Sequence, residues 1–226
     1  FREQGISWEQ RDGVLTVQGR LSPGEYLLPG NVSSQFFTGL LFALPLLDGD
    51  SEIRMLSKLE SKPYVDLTIA CLRHFGIAVQ ETEQGYAVAG GQQYHACDLT
   101  VEGDYSQAAF FCVANALGSD ITLTNLNPES VQGDKKIVEI VREMCYNREQ
   151  GLPAGFTVDA ADIPDLVPIL AVLATFGTAP SSITGAHRLA IKESDRLAST
   201  ADLLNRLGGK VTATPDGLEI EPVEQL

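Results

Sequence analysis

The chain has 226 residues, of which 44% are hydrophobic, 20% charged and 7% aromatic, and this composition is typical of a globular protein. Its 16 basic and 30 acidic residues give a formal charge of −14, which argues against non-specific binding to nucleic acid or to anionic membranes because those surfaces repel it. The longest apolar run, at residues 36–47, is shorter than a membrane span and is interrupted by Thr38, Gly39 and Pro45.

The four cysteines and three histidines lack the spacing of a metal or redox site. No Cys-x-x-Cys pair is present, and Cys71 and Cys112 lie within apolar helical patterns that are typical of core residues. This cysteine usage predicts a reduced, cytoplasmic protein. Residues 1–5 have the features of neither a signal peptide nor a natural start, so we expect the sequence to be an internal piece of a longer chain.

A fixed order of helices and strands is predicted between residues 31 and 89. Hydroxyl side chains in front of an apolar stretch predict the first helix, and a β-like stretch separates it from a second helix. The predicted elements are a helix at residues 31–46, a strand at 51–56, a helix from 61 to about 76, and short strands at 77–80 and 86–89. A turn at Gln84 and Gly85 joins the last two strands, so the unit closes with a hairpin.

The same order returns twice in the second half of the chain. The predicted elements are helices from Tyr105 and Gly133 around a strand at 121–126, then helices from Ile163 and Lys192 followed by a hairpin at 211–214 and 218–220. Corresponding helices are offset by 72 and then by 58 residues in both series, so the second repeat is 14 residues shorter than the first. The missing residues would follow the second helix of this repeat, where the sequence has no hairpin pattern.

This repeat predicts an α/β (α+β) fold built from βαβαββ units. Alternation of strands and helices with right-handed crossovers produces partly parallel sheets that are covered by helices, whose N-termini gather on one side. A repeat by itself indicates only architecture. Here, however, four of the six helix starts carry side chains suited to anionic substrates, which indicates a shared function.

Two helix starts in the first complete repeat could hold an anion. Ser33, Ser34 and Gln35 offer hydroxyls, an amide and free backbone N–H groups at the positive end of a helix. Ser61 and Tyr64 flank a lysine and a proline at the next helix start. On their own, both segments could also be simple helix caps.

Two helix starts in the last repeat carry charged groups. Asp165 precedes a strongly apolar helix, where it could partner the helix dipole or accept a proton from a substrate hydroxyl. Lys192, Glu193 and Arg196 have spacings of three and four residues, which would place them on one helical face. They could form a solvated ion-paired surface, or bind an anion while delivering a proton.

Five short motifs resemble the 5-enolpyruvylshikimate-3-phosphate synthase family and occur in its order. They are VSSQF at 32–36, SKPY at 61–64, EGD at 102–104, IPD at 163–165 and KESDRL at 192–197. KESDRL is the most specific of these, and the resemblance spans essentially the whole chain. It implies a two-lobed inside-out α/β barrel, with residues 1–103 ending one repeat and completing another in the first lobe, and residues 104–226 forming two units of the second lobe.

The resemblance also implies an activity, namely transfer of the enolpyruvyl group of phosphoenolpyruvate to the 5-hydroxyl of shikimate 3-phosphate, a step in aromatic amino-acid biosynthesis. No metal or organic cofactor is implied, since addition and elimination need only proton transfer and electrostatic stabilisation. The complete enzyme would be a monomer. By position, shikimate 3-phosphate would be held by Ser33, Ser34, Gln35, Ser61 and Tyr64, and Gln35 would also approach phosphoenolpyruvate.

The matched motifs of the last repeat imply the catalytic groups. Asp165 would be the base near the attacking hydroxyl, and Lys192 would contact substrate and assist there. Glu193 would exchange the proton at the phosphoenolpyruvate methylene carbon. Arg196 would bind the anionic groups of phosphoenolpyruvate.

The chain also departs from the family pattern. The basic residue that the family carries two positions before the signature lysine is replaced by Ala190, for which Arg188 could substitute. Other cationic segments of the family are absent from these 226 residues, so we expect this chain alone to be inactive. Two alternatives remain open from the sequence: a UDP-N-acetylglucosamine enolpyruvyl transferase, and a non-catalytic anion-binding module.

Overall fold

The computed structural model describes residues 4–225 and contains ten strands and six α-helices within them. Residues 1–3 and 226, and with them part of the N-terminal stretch interpreted above, lie outside the described residues. The strands are β1 (Ser7–Arg11), β2 (Val14–Gln18), β3 (Gly24–Leu28), β4 (Ser51–Met55), β5 (Gln80–Thr82), β6 (Gly85–Val88), β7 (Thr157–Asp159), β8 (Ser181–Thr184), β9 (Lys210–Thr214) and β10 (Gly217–Glu221). The helices are α1 (Ser34–Ala43), α2 (Lys62–His74), α3 (Tyr105–Ala116), α4 (Ile137–Glu149), α5 (Val167–Thr175) and α6 (Arg196–Arg206). None of the helices described between residues 4 and 225 is long and apolar enough to cross a membrane.

The chain divides into two compact units. Unit 1 contains residues 1–59 and 65–98, and unit 2 contains residues 60–64 and 99–226. The short segment Glu60–Tyr64, which includes the first turn of α2, therefore packs with unit 2 although its neighbours in sequence belong to unit 1. The assignment of residues 1–103 and 104–226 to two lobes of the family fold stays a prediction.

Unit 1 contains one complete βαβαββ repeat. Its four-stranded sheet has the order β3-β4-β6-β5, in which β3 and β4 are parallel and the closing hairpin is antiparallel. Helix α1 begins after Ser33, whose hydroxyl accepts a hydrogen bond from the backbone N–H of Gln35, and it buries Phe37 and Leu41, four residues apart on one face. The ring of Phe37 contacts Tyr86 edge to face, which ties helix to sheet.

Unit 2 contains a second complete repeat of the same topology. Its sheet has the order β7-β8-β10-β9, again with the first two strands parallel and the hairpin antiparallel. Helix α5 is apolar nearly all round and buries seven of its nine residues, so it forms the centre of the core of this unit. The apolar faces of α3, α4 and α6 pack on the same core.

The repeat between these two has no closing hairpin among the described elements. Helix α4 ends at Glu149, and the next strand, β7, already belongs to the third repeat. The strand predicted at residues 121–126 is wrong, because this segment pairs with no strand of the described residues and its Asn125 has a φ of 62°, in the left-handed region. It makes isolated contacts through Asn125, whose carbonyl accepts from the N–H of Gly103 and whose side-chain amide donates to Val101. Without a hairpin, this segment has no antiparallel neighbour like those of β4 and β8.

The hairpin of β1 and β2 precedes the first complete repeat and forms a two-stranded sheet of its own. Its cross-strand pairs place Trp8, Leu15 and Val17 on one face, and their side chains are 44%, 57% and 48% exposed. In the hairpin of unit 2, the residues at the same distances from the turn are Val211, Leu218 and Ile220, and all three are buried. The apolar face of the first hairpin is therefore the equivalent of a core face.

Candidate active site

The segment Glu60–Tyr64 is anchored in unit 2 by backbone and side-chain contacts. The N–H and the hydroxyl of Ser61 both donate to the carbonyl of Ala161, at 3.0 and 3.4 Å, and the N–H of Lys62 donates to Asp162 at 3.3 Å. Ser61 has a φ of 57°, in the left-handed region that a residue with a side chain adopts at a cost of about 1 kcal/mol or more. Such a conformation persists where surrounding contacts fix it, as they do here.

Arg188 is the principal side chain that fixes this segment. Its guanidinium is buried, pairs with the carboxylate of Glu60, and donates hydrogen bonds of 2.9 Å to the hydroxyl of Ser61 and to the carbonyl of Ala161. The side chains of Arg188 and Glu60 are only 4% and 16% exposed. Arg188 therefore supports Ser61 from within the protein, and its use in these buried contacts argues against its substituting for the basic residue that Ala190 replaces.

Replacing Arg188 by Met is expected to destabilise the chain by about 3–5 kcal/mol, because it leaves the carboxylate of Glu60 buried without its cation. Urea unfolding of the 226-residue chain, followed by circular dichroism, measures this loss. The exposed Arg20 gives a matched control, since R20M removes the same charge from the surface. An unchanged unfolding midpoint in R188M would show that the Glu60 pair does not hold the segment.

Tyr64, Asp165, Arg196 and Glu193 form one connected cluster in unit 2. The hydroxyl of Tyr64 lies 3.1 Å from Oδ2 of Asp165, and Nη1 of Arg196 donates to the other oxygen of that carboxylate at 2.8 Å. Nη2 of Arg196 also lies 3.4 Å from the carboxylate of Glu193. Two carboxylates, a guanidinium and a phenol thus meet within one surface, where they could bind an anion and move protons.

Local sequence places these groups. Pro164 fixes the backbone at the start of a short 3₁₀ helix (Pro164–Leu166), which presents Asp165 in the turn before α5. Asp195 caps α6 by accepting the N–H of Ala198 at 2.9 Å, so that Arg196 occupies the first helical position. The prediction that Lys192 and Glu193 lie on this helix is wrong, because the cap at Asp195 starts the helix after them.

Lys192 follows the 3₁₀ helix His187–Ile191 in extended backbone. Within residues 4–225 it forms no hydrogen bond or ion pair with the other predicted site residues. Glu193 still reaches Arg196, and its side chain is 84% exposed. A hydrogen bond with its own backbone, followed by the charge of Arg196, lowers the pKa of the Glu193 carboxyl.

Asp134 is a member of the cluster that the sequence interpretation did not single out. Its Oδ2 lies 2.8 Å from the hydroxyl of Tyr64, and the residue is only 3% exposed. The preceding Gly133 makes this approach possible, since a Cβ there would stand 2.9 Å from the ring of Pro63 and 2.8 Å from the carbonyl of Asp162. The internal repeat could have identified Asp134 as a site residue. Asp134 occupies the same position in its repeat as Lys62 and Lys192 do in theirs, at offsets of 72 and 58 residues.

Burial dominates the electrostatics at Asp134 and Tyr64. It raises the pKa of the Asp134 carboxyl to about 6, against the opposing hydrogen bond from Tyr64 and with help from the charges of Asp165 and Asp104. Burial and the two neighbouring carboxylates also raise the pKa of the Tyr64 phenol. Tyr64 therefore keeps its proton across the physiological pH range.

Ser33, Ser34 and Gln35 lie in unit 1, at the N-terminus of α1. Ser33 is the N-cap, Ser34 is half-buried in the first turn, and Gln35 is exposed. Gln35 and Phe36 line an open groove of about 740 Å³ in this unit, together with the strand β3. The volume is within the range of small-molecule sites.

No group of three or more His, Cys, Asp or Glu side chains that could hold a metal ion occurs in the part of the chain that the structure describes. All four cysteines are unpaired thiols.

This chain is similar to known proteins in sequence and in structure. The profile of a family described as EPSP synthase (3-phosphoshikimate 1-carboxyvinyltransferase) matches residues 5–226. Two relatives named 3-phosphoshikimate 1-carboxyvinyltransferase are similar: one from Clostridium beijerinckii is 42% identical over 239 residues, and one from Clostridium novyi is 43% identical over 233 residues. These matches cover 100% and 98% of this chain, but only 55% and 54% of the relatives. The chain therefore spans about half the length of the curated relatives it matches.

The fold is similar to that of a solved EPSP synthase from Acinetobacter baumannii. The two align with a TM-score of 0.72 at 24% sequence identity, covering 98% of this chain and 55% of that one. This likeness confirms the predicted α/β fold of repeated units.

Proposed function

The chain belongs to the EPSP synthase family, and from that membership we propose that the complete protein transfers the enolpyruvyl group of phosphoenolpyruvate to the 5-hydroxyl of shikimate 3-phosphate. The products are 5-enolpyruvylshikimate 3-phosphate and phosphate. The proposal extends to a cytoplasmic, monomeric enzyme of aromatic amino-acid biosynthesis.

The observation that carries this proposal is the placement of Asp165. One of its oxygens accepts from Arg196 and the other faces the hydroxyl of Tyr64, while its side chain remains 43% exposed. A carboxylate that one hydrogen bond orients, and whose other oxygen lies beside a hydroxyl while the side chain stays open to solvent, can accept a proton from a substrate hydroxyl. Arg196 stabilises its negative charge and presents a cation to the anionic substrates.

The remaining matched residues take complementary roles. Glu193 exchanges the proton at the methylene carbon of phosphoenolpyruvate, and its exposed position beside Arg196 allows that access. Lys192 contacts substrate near the attacking hydroxyl. Shikimate 3-phosphate is bound by Ser33, Ser34, Gln35, Ser61 and Tyr64.

Of these binding residues, Ser61 fits its role least directly. It is 2% exposed, and its hydroxyl already contacts Arg188 and the carbonyl of Ala161. Its contribution to binding would therefore come through one remaining lone pair of the hydroxyl or through the backbone that it fixes.

An activity assay tests the function. Residues 5–226 of this chain replace the matching segment of the Clostridium beijerinckii relative, and this chimera is called the complete enzyme below. We expect the complete enzyme to form 5-enolpyruvylshikimate 3-phosphate and release phosphate in equal amounts. The 226-residue chain alone is expected to form none, since the loss of a single transition-state contact already costs about 10²–10³-fold in rate.

The assay uses a host strain that lacks its own synthase, which removes contaminating activity. A folded complete enzyme that binds shikimate 3-phosphate without turnover would favour the non-catalytic binding module. Product formation by the 226-residue chain alone would contradict its expected inactivity, because it would show that the residues of this chain suffice for catalysis.

A further inference from the structure

The hydroxyl of Tyr64 lies between two carboxyl groups but has only one proton to donate. Its oxygen is 2.8 Å from Oδ2 of Asp134 and 3.1 Å from Oδ2 of Asp165. Hydrogen bonds across both gaps need two protons, so the second bond forms only when one carboxyl group is protonated. The protonation of Asp134 is therefore linked to that of Asp165 through Tyr64.

The two ends of this link have different surroundings. Asp165 is partly exposed, and the guanidinium of Arg196 stabilises negative charge on it. Asp134 is 3% exposed, and its Oδ1 has no hydrogen-bond partner among the described residues. An extra proton is therefore stabilised more at the buried end than at the exposed end.

The charged groups around Asp134 also favour its protonated form. From other elements it faces the phenol of Tyr64 and the carboxylates of Asp165 and Asp104, and both carboxylates disfavour a further negative charge. On its own element, the ammonium of Lys135 is turned away to the carbonyls of Pro128 and Ser130, at 2.8 and 3.0 Å. The resulting pKa of about 6 leaves Asp134 mostly ionised at neutral pH, and ready to accept a proton.

We propose that Asp134 is the final acceptor of the proton that Asp165 removes from the substrate hydroxyl, with the hydroxyl of Tyr64 as the link between them. The proposal rests on the function proposed above, and it makes Asp134 a positioning residue that never touches substrate. It also gives Tyr64 a second role beside binding.

The proton transfer takes place in two steps. First the substrate O–H bond breaks, its proton bonds to Asp165, and its electron pair stays on the oxygen that attacks the enolpyruvyl carbon. Asp165 then gives its proton to the oxygen of Tyr64, while the proton of Tyr64 moves to Oδ2 of Asp134. Asp165 regains its negative charge, Tyr64 ends neutral, and Asp134 becomes a neutral acid. Before the next turnover the reverse transfers return this proton through Tyr64 and Asp165 to solvent.

The first test measures the carboxyl groups directly and needs no activity. In the 226-residue chain labelled with ¹³C at the aspartate carboxyl carbon, the Asp134 resonance is expected to titrate with an apparent pKa of about 6. D165N is expected to lower that pKa, because a neighbouring negative charge is removed. An Asp134 that titrates near the ordinary value of 3.8, or that ignores D165N, would overturn the proposal.

The raised pKa of Asp134 should also make the stability of the fold depend on pH. An acid whose pKa is higher in the folded than in the unfolded state destabilises the fold as pH rises between the two values. Two pKa units correspond to about a 10²-fold fall in the folding equilibrium constant between pH 4 and pH 7. D134N is expected to abolish this pH-dependent fall in the folding equilibrium constant, whereas the exposed control D202N is expected to keep it.

The second test uses the complete enzyme. Asp134 must be ionised to accept a proton, so kcat is expected to fall as pH drops below about 6. D134N is expected to lower kcat at pH 7.5 by about 10–10²-fold with KM nearly unchanged, and to remove that limb of the pH profile. Y64F combined with D134N is expected to lower kcat no further than Y64F alone, since both interrupt one link.

The two proposals fail in distinguishable ways. An inactive complete enzyme with the expected Asp134 titration would contradict the function but leave the linked carboxyl groups in place. An active complete enzyme in which D134N keeps full kcat and the same pH profile would contradict the role of Asp134 alone.

Discussion

Replacing Asp165 by Asn in the complete enzyme is expected to lower kcat by about 10²–10⁴-fold while changing KM for both substrates by less than about threefold. The amide has the size of the carboxylate, and its oxygen can still accept from Nη1 of Arg196 at 2.8 Å. Binding geometry is therefore retained. The amide cannot take a proton from the substrate hydroxyl, so the loss falls on the chemical step.

The matched control for this variant is D202N, which makes the same change at an exposed position of α6. Steady-state kinetics at several pH values separates kcat from KM for each variant. If D165N kept near-normal kcat, Asp165 would be a dipole partner of its helix and an anchor for Arg196, and the base would lie elsewhere.

Replacing Glu193 by Gln is expected to lower kcat by about 10²–10⁴-fold and to suppress exchange of the phosphoenolpyruvate methylene protons with solvent. The glutamate side chain is 84% exposed and its pKa is lowered by its own backbone and by Arg196, so it is ionised at neutral pH. Because it is exposed, the carboxylate can take up a proton from solvent and then, as the neutral acid, give that proton to the methylene carbon. The glutamine amide keeps the contact to Arg196 but carries no exchangeable acid.

Deuterium incorporation into phosphoenolpyruvate, measured by NMR in D₂O with the complete enzyme and both substrates, isolates this role from that of Asp165. D165N is expected to lower turnover, whereas only E193Q removes the acid at the methylene carbon. E149Q, at the exposed end of α4, is the matched control. Incorporation at the unmodified rate in E193Q would assign the methylene proton to another group.

Local patterns predict most of the helices and the closing hairpins. Apolar spacing behind polar residues predicts the starts of α1, α2 and α3 within three residues, and the predicted strands 51–56 and 211–214 correspond to β4 and β9. The hairpin strand predicted at 77–80 lies later, at Gln80–Thr82, because the two-residue turn before Gly85 fixes its register. These elements depend on neighbours in sequence, so sequence reveals them.

The start of α6 shows where periodicity misleads. Charges at three- and four-residue spacing fit one helical face from Lys192 onward, yet the helix begins only at Arg196. Asp195 is a favoured N-cap residue, and its side chain ends the preceding irregular segment by taking the N–H of Ala198. Capping chemistry outweighs charge spacing at this position.

The candidate site depends on contacts that sequence spacing does not reveal. Tyr64 meets Asp134 across 70 residues, and Ser61 meets Arg188 across 127. Motifs predict Tyr64, Asp165 and Arg196 as site residues, but it is burial that raises the pKa of the Asp134 carboxyl and that places Arg188 behind the site. Burial is a property of the packed fold, so neither role follows from residue type alone.

The hairpin of β1 and β2 has a consequence for the cooperativity of folding. Among the strands described between residues 4 and 225, these two pair only with each other, and they expose the face that is buried in the equivalent hairpin of unit 2. A two-stranded hairpin forms within about 1–10 μs but is marginally stable without a covering layer. We therefore expect the strands of this hairpin to open and close independently of the four-stranded sheets.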